Sequence, residues 1–232
     1  MNDDERARDE VRTVLYVHGL ESGPGGRKAQ NLAAAGFRVV SELMPCGRRQ
    51  IVRDPVVIAG GAALLAVVAA SVARRSFLGV GLTIGLAYAC APLAQAGVMR
   101  RVVRRSLAVQ TASLASHRIE AVVGSSFGGA IALELLSRGL WSGPTVLLCP
   151  AHALVAGRAR LPVPPSLARL PDAVTSRIVV VHGLRDELVP VVDSQTLTDG
   201  SRARLVLVDD GHRLAKTATP SRLAEWIAMA QG

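Results

Sequence analysis

Aromatic side chains make up only 3% of this 232-residue sequence, and arginine almost replaces lysine. Cysteine is scarce too. Cys46, Cys90 and Cys149 are scattered, which gives neither a disulfide framework nor a metal-ligand spacing and fits a reducing compartment. The five histidines show no H-x-x-H or H-x₃-H pairing, so neither a catalytic metal nor another cofactor is expected. Residues 1–12 are dense in charge of both signs and lack the apolar stretch of a signal peptide. They read as a solvated lead-in.

The net charge of +9 raises nucleic-acid binding as a function, but its distribution argues against it. Nine arginines (48, 49, 53, 74, 75, 100, 101, 104 and 105) and one acid, Asp54, fall between Gly47 and Ser106; the rest of the chain has 18 basic and 17 acidic residues. A polyanion-binding face needs basic residues clustered on the folded domain, with aromatics among them. Here the excess belongs to a hydrophobic segment, and no nucleic-acid partner is expected.

That segment holds two charge-free runs, residues 56–73 and 76–99, separated by Arg74-Arg75. At about 1.5 Å per helical residue, each is long enough to cross a hydrocarbon core of about 30 Å. Asp54-Pro55 suits a helix start, a capping carboxylate followed by proline at the first position. Gly81-x-x-x-Gly85 is a spacing that lets helices approach closely in lipid. The pattern predicts a transmembrane hairpin of two helices inserted over residues 54–99. The alternative is a buried, alanine-rich hairpin in a soluble protein. The arginines cluster at the outer ends, which by the positive-inside rule places the rest of the protein on the cytoplasmic side of the cytoplasmic membrane.

Outside the hairpin, residues 13–53 and 100–232 read as a single α/β domain. Short apolar runs at 13–17, 38–43, 119–123, 145–149, 178–181 and 204–208 predict strands. Helical patterns at 27–35, 100–117, 130–136 and 221–230 alternate with them. The helix at 100–117 continues from the second apolar run without a break. The expected fold is a mostly parallel sheet of about six strands with flanking helices.

The chain is organised around Gly124-Ser125-Ser126-Phe127-Gly128-Gly129. Strand, Gly-x-Ser-x-Gly, helix is the context of a nucleophile elbow, a turn so tight that the residues two away on each side of the serine must lack bulk. Only Ser126 fits that frame. A serine needs a base to take its proton and a third group to orient that base. In chain order the candidates are Asp186, after the strand at 178–181, and His212, after the strand at 204–208. Both project from the strand edge that carries Ser126, where open parallel sheets bind ligands. Asp209 and Asp210 stand as alternative partners for His212. His117 and His152 read as surface or loop residues, His182 as a strand-end residue without a role, and Cys149 as a small core residue.

The pattern resembles the α/β-hydrolase superfamily, nearest to its compact bacterial esterases of the YqiA type. The resemblance rests on Leu15-Tyr16-Val17-His18-Gly19-Leu20 with Ser22, Pro24, Lys28 and Ala29, on the elbow, on Gly183-x-x-Asp186-x-x-Val189-Pro190 and on Gly211-His212. It implies Ser126 as nucleophile, His212 as general base and acid, and Asp186 as its orienting carboxylate. It also implies an oxyanion hole from the backbone N–H groups of Leu20 and Phe127, and a structural role for His18. The inserted hairpin departs from the family.

Two functions follow as expectations. One is a membrane-anchored serine hydrolase that cleaves an ester or thioester, small-molecule or lipid, through an acyl-enzyme. The other is a hydrolase-like module used for membrane binding or scaffolding without catalysis. A variant of the first keeps the enzyme soluble, with the hairpin as a lid. Chain direction adds one more expectation. The strand at 38–43 ends at the edge carrying Ser126, so the hairpin rises from that edge and the mouth of the site faces the bilayer.

Overall fold

Thr13–Val17 forms strand β1, five β-branched or apolar residues of which the last four are buried. In the computed structural model, which describes residues 12–20, 22–47, 51–163 and 166–232, this strand lies inside a parallel sheet. Most of the charged lead-in, Glu21, Arg48, Arg49 and the Pro164-Pro165 pair lie outside the described residues.

Helix α1 (Arg27–Ala34) follows β1 and ends at Gly36, whose φ of 87° turns the chain into β2 (Arg38–Val40). The hairpin helices are α2 (Pro55–Ala73) and α3 (Phe77–Ser116). Strand β3 (Ala121–Ser125) and helix α4 (Phe127–Ser137) flank the elbow. Then come β4 (Thr145–Leu148), α5 (His152–Ala159), a 3₁₀ turn at Leu167–Arg169 and the single turn α6 (Asp172–Thr175). Strand β5 (Ile178–Gly183), α7 (Val191–Thr198), β6 (Arg204–Val208) and α8 (Pro220–Gln231) complete the described chain.

The six strands run parallel in the order β2-β1-β3-β4-β5-β6. The chain moves outward from β1 to β2, then crosses back to β3, so the order reverses between β1 and β3. Val17 pairs with Gly124 there, which sets the loop after β1 beside the elbow. Alternate side chains face two separate cores. Leu15, Val17, Val122 and Val180 face a core with α3, α4, α5 and α7. Val14, Tyr16, Val123 and Val181 face a core with α1 and α8.

The expected strands are all present; β1 and β6 have the expected bounds and the other four have shifted ends. Strand β2 stops at Val40 rather than residue 43 because the Ser41 hydroxyl donates to the Tyr16 carbonyl (2.9 Å) where a ladder bond would continue. Strand β3 starts and ends two residues later than expected, at the register that pairs Val14 with Ala121. Helices α5, α6 and α7 carried too weak a pattern to be expected.

The hairpin is mostly exposed. Helix α3 runs unbroken for 40 residues, about 60 Å at 1.5 Å per residue. Its C-terminal part is seated on the domain through Ala96, Val102, Val103 and Leu107. Its most apolar 18-residue stretch has a mean hydropathy of 1.8, and none of that stretch is buried. Phe77, Leu78 and Tyr88 on α3 and Leu65 on α2 are exposed. The hairpin is therefore not buried against the rest of the described chain. Asp54 fixes the base, with its carboxylate 2.7 Å from Arg105 and 3.4 Å from Arg101. The Arg100 guanidinium donates to the carbonyls of Ala159 and Arg160 at the end of α5. From there α3 descends to the opposite sheet edge, where Glu120 N–H meets the Thr13 carbonyl before β3 begins. The hairpin rises from the edge at which the strands end, as chain direction requires.

Candidate active site

The elbow is built by close backbone approach. A Cβ on Gly128 would overlap the Val17 carbonyl of β1. One on Gly124 would lie 2.7 Å from the Gly128 carbonyl and 2.8 Å from the Ala132 side chain. Between them Ser126 takes φ 55° and ψ −116°, a strained conformation for a residue with a side chain. Its neighbours hold it there. Ser126 N–H donates to the Leu148 carbonyl (2.9 Å), and its own carbonyl accepts from the N–H groups of Ala130 (3.2 Å) and Ala151 (3.1 Å). The strain turns the hydroxyl out of the sheet edge.

His212 stands after β6, with Nε2 2.8 Å from Ser126 Oγ. Its Nδ1 lies 2.7 Å from Asp186 Oδ2. Residues 126, 186 and 212 thus converge from β3, β5 and β6. The other Asp186 oxygen accepts from the N–H groups of Leu188 and Val189, each at 2.9 Å. Burial pushes the Asp186 carboxyl up, but the hydrogen bonds from Val189, His212 and Leu188 outweigh it and hold the group below its usual range. An ionised carboxylate only accepts, so His212 Nδ1 carries the proton and Nε2 is free to accept from the serine hydroxyl. Gly183 at the end of β5 makes this approach possible. A Cβ there would lie 2.5 Å from the Asp210 carbonyl and 2.8 Å from that of Gly211.

The alternative acids do not reach His212. Asp209 is exposed and pairs with Arg185 at 2.9 Å. Asp210 is buried and braces the loop that carries His212. Its oxygens accept from the N–H groups of Gly211 (2.8 Å), Lys216 (2.8 Å) and Thr217 (2.9 Å) and from the Thr217 hydroxyl (3.0 Å). Those bonds overcome the cost of burial and depress its pKa.

Leu20 and Phe127 both line the cavity around Ser126. Phe127 opens α4, where backbone N–H groups have no acceptor within the helix. His18 is buried under the β1 loop, with Nδ1 2.8 Å from the Gly19 carbonyl and Nε2 3.3 Å from the Met44 N–H. That is a bracing position.

Three residues near the site were given no role from the sequence. His182 is fully buried, with Nε2 3.0 Å from the Val189 carbonyl and 3.2 Å from Asp186 Oδ2, and with Nδ1 2.7 Å from Ser194 Oγ. The sequence placed it at a strand end, but nothing there signalled these contacts. Lys28 Nζ donates to Ser125 Oγ at 3.1 Å, although only its place in the β1 motif was legible. Met99 marks where α3 meets the cavity. Cys149 lies close to His182 and Asp186, but burial pushes its thiol up to about 12. A neutral thiol is a poor metal ligand.

The cavity above Ser126 encloses about 730 Å³. An elbow serine, a histidine and a buried carboxylate at the ends of parallel strands, reached across a reversal in strand order, decide the architecture. The fold is that of an α/β-hydrolase. Solved structures of this superfamily superpose on nearly the whole chain at low identity. A protein described as a hydrolase from Agrobacterium vitis S4 matches with a TM-score of 0.55 at 17% identity, over 97% of this chain and 89% of its own. MGS-M1, an α/β hydrolase from a Medee basin deep-sea metagenome library, matches with 0.52 at 13% identity, over 100% and 89%. A structure from the study of LipS and LipT, metagenome-derived lipolytic enzymes, matches with 0.51 at 12% identity, over 93% of each chain. No family model matches the sequence, and no curated protein matches it. At these identities the likeness shows the α/β-hydrolase fold, and the chemistry rests on the site itself.

Proposed function

We propose that this protein is a membrane-anchored serine hydrolase that cleaves carboxylic esters or thioesters through an acyl-enzyme. The observation that carries this reading is the unbroken hydrogen-bonded path from Ser126 Oγ through His212 to Asp186 at one sheet edge. Ser126 Oγ attacks the acyl carbon as its proton passes to His212 Nε2. The Leu20 and Phe127 N–H groups stabilise the oxyanion, donors of a kind worth ~10²–10³ in rate. The bond to the leaving group breaks, and the leaving atom takes the proton from His212. Water then attacks the acyl carbon as it gives a proton to His212, and His212 returns that proton to Ser126 Oγ as the bond to the acyl group breaks and the acid leaves.

Anchoring rests on the exposed apolar hairpin. A contiguous apolar surface of this size belongs in lipid or against a partner. Among the described residues of the hairpin and its immediate continuation, only Met99 lines the cavity, which fits an anchor beside the mouth better than a lid over it. With Arg100, Arg101 and Arg105 at the base, the catalytic domain sits on the cytoplasmic side and Arg74-Arg75 on the other.

The test is labelling with a fluorophosphonate probe in membrane and soluble fractions. Wild type should label in the membrane fraction and resist carbonate extraction, and Ser126→Ala should not label. Persistent labelling of Ser126→Ala would remove the elbow serine from the reaction. Release by carbonate would remove the anchor while leaving the chemistry intact.

A further inference from the structure

The cavity is divided by the sheet edge into two chemically distinct walls. Met99 of α3 and Val155 of α5 belong with the first core layer, and the exposed Leu154 of α5 and Leu188 of the β5 loop extend this mainly apolar wall, which also carries Arg158 of α5. Tyr16, Arg27, Lys28 and Asn31 belong with the layer of α1 and are polar, with two cations. Ser126 lies on the line between them. The apolar wall adjoins the base of the hairpin at Met99.

Lys28 is the informative residue on the polar wall. Its ammonium is half-buried, and its hydrogen bond goes to a neutral hydroxyl, Ser125 Oγ at 3.1 Å. No carboxylate among the described residues lies within ion-pair distance of it. Asp210 is near enough to favour its charge, yet both Asp210 oxygens are committed to the loop that carries His212. Burial pulls the lysine below its ordinary pKa. A desolvated cation facing a cavity without a counter-charge is an unmet demand for an anion. The acid in the lining, Glu187, stands on the β5 loop, beyond β4 from the α1 wall.

We infer that the substrate is an acyl ester whose leaving group carries a phosphate close to the ester oxygen, with its chain along the Met99–Leu154 wall and its phosphate against Lys28 and Arg27. Position sets the spacing. Ser125 and Ser126 are adjacent, with Cα atoms about 3.8 Å apart, so an anion held by Lys28 sits within a side chain's reach of the scissile carbonyl. An acylated glycerol phosphate places its phosphate a few bonds from the ester. A carrier thioester places its nearest phosphate at the far end of a long arm, beyond that reach. The hairpin delivers the chain from the bilayer side, and the α1 wall receives the headgroup. This inference rests on the hydrolase reading above and adds the substrate class to it.

The experiment uses the full chain in detergent and two water-soluble substrates, hexanoyl glycerol 3-phosphate and monohexanoylglycerol. Wild type should show kcat/KM at least tenfold higher on the phosphate. One charge-assisted hydrogen bond of about 1.5–3 kcal/mol corresponds to roughly ten- to hundredfold. Lys28→Met should collapse the phosphate-over-neutral ratio by that factor, and Lys28→Arg should restore part of it. An equal fall on both substrates would mean that Lys28 only braces the elbow, which overturns the inference. Binding of both compounds to Ser126→Ala, read by calorimetry, separates this inference from the hydrolase reading. Preferred binding of the phosphate with no turnover by wild type would refute hydrolysis and leave the anion site standing. Turnover of both substrates without preference would do the reverse. Failure of both binding and turnover would end the proposal.

Discussion

Replacing Asp186 by asparagine tests the site more sharply than removing it. The carboxylate serves two clients. Oδ1 accepts from two loop N–H groups at 2.9 Å, and Oδ2 faces His212 Nδ1 at 2.7 Å. Asparagine has one oxygen and one NH₂ for these places. If its oxygen stays with Leu188 and Val189, the NH₂ faces His212 and makes Nδ1 an acceptor. Nε2 then carries the proton and cannot accept one from Ser126. To restore the working tautomer, the amide must flip and set its NH₂ against two backbone donors. The Val189 N–H is part-buried and the Leu188 N–H exposed to water, so leaving them unmet costs about 1–3 kcal/mol, nearly all of it at Val189. At 1.36 kcal/mol per decade, that suppresses the competent form roughly 5-fold to 160-fold. The assay is kcat on a short-chain ester, with circular dichroism and thermal unfolding to show an intact fold. Asp186→Ala leaves no amide to enforce the wrong tautomer, so Asp186→Asn should be at least as damaging. A folded Asp186→Asn enzyme that keeps activity within about twofold of wild type would refute the assignment of donor and acceptor, and with it the role of Asp186.

Two further outcomes follow from the backbone and the loop. Gly128→Ala should lose more than ~3 kcal/mol in thermal or denaturant unfolding, because the new methyl group meets the carbonyl of an internal strand that cannot yield; an unchanged Tm would mean that the elbow and β1 are not in close contact. Asp210→Asn should cost ~2–4 kcal/mol at neutral pH by weakening the bonds that brace the His212 loop. Because the folded pKa of Asp210 is depressed, its contribution is present above the unfolded value of about 3.9 and is lost as pH falls through the folded value. The stability gap between wild type and variant should therefore close below about pH 4, and a gap that persisted in acid would show that its charge is not the source.

What the sequence determined by itself was local. Gly124, Ser126 and Gly128 are legible because the turn's steric demand falls on residues two apart. The charge-free runs are legible because the length of an apolar helix is a count of residues. Even the direction of the hairpin followed, because parallel strands all end at one edge. The contacts that complete the site were decided by tertiary structure. Asp186 rather than Asp209 or Asp210 meets His212, because Gly183 lets the β5 and β6 loops close on each other while Asp210 turns inward to its own loop. Lys28 meets Ser125, 97 positions away, because strand order sets α1 beside β3. The two walls of the cavity exist because alternate residues of one strand face opposite layers, and which layer carries charge depends on the helices that cover it. The exposure of the hairpin was likewise a matter of packing, since an apolar run has the same composition whether a core covers it or not.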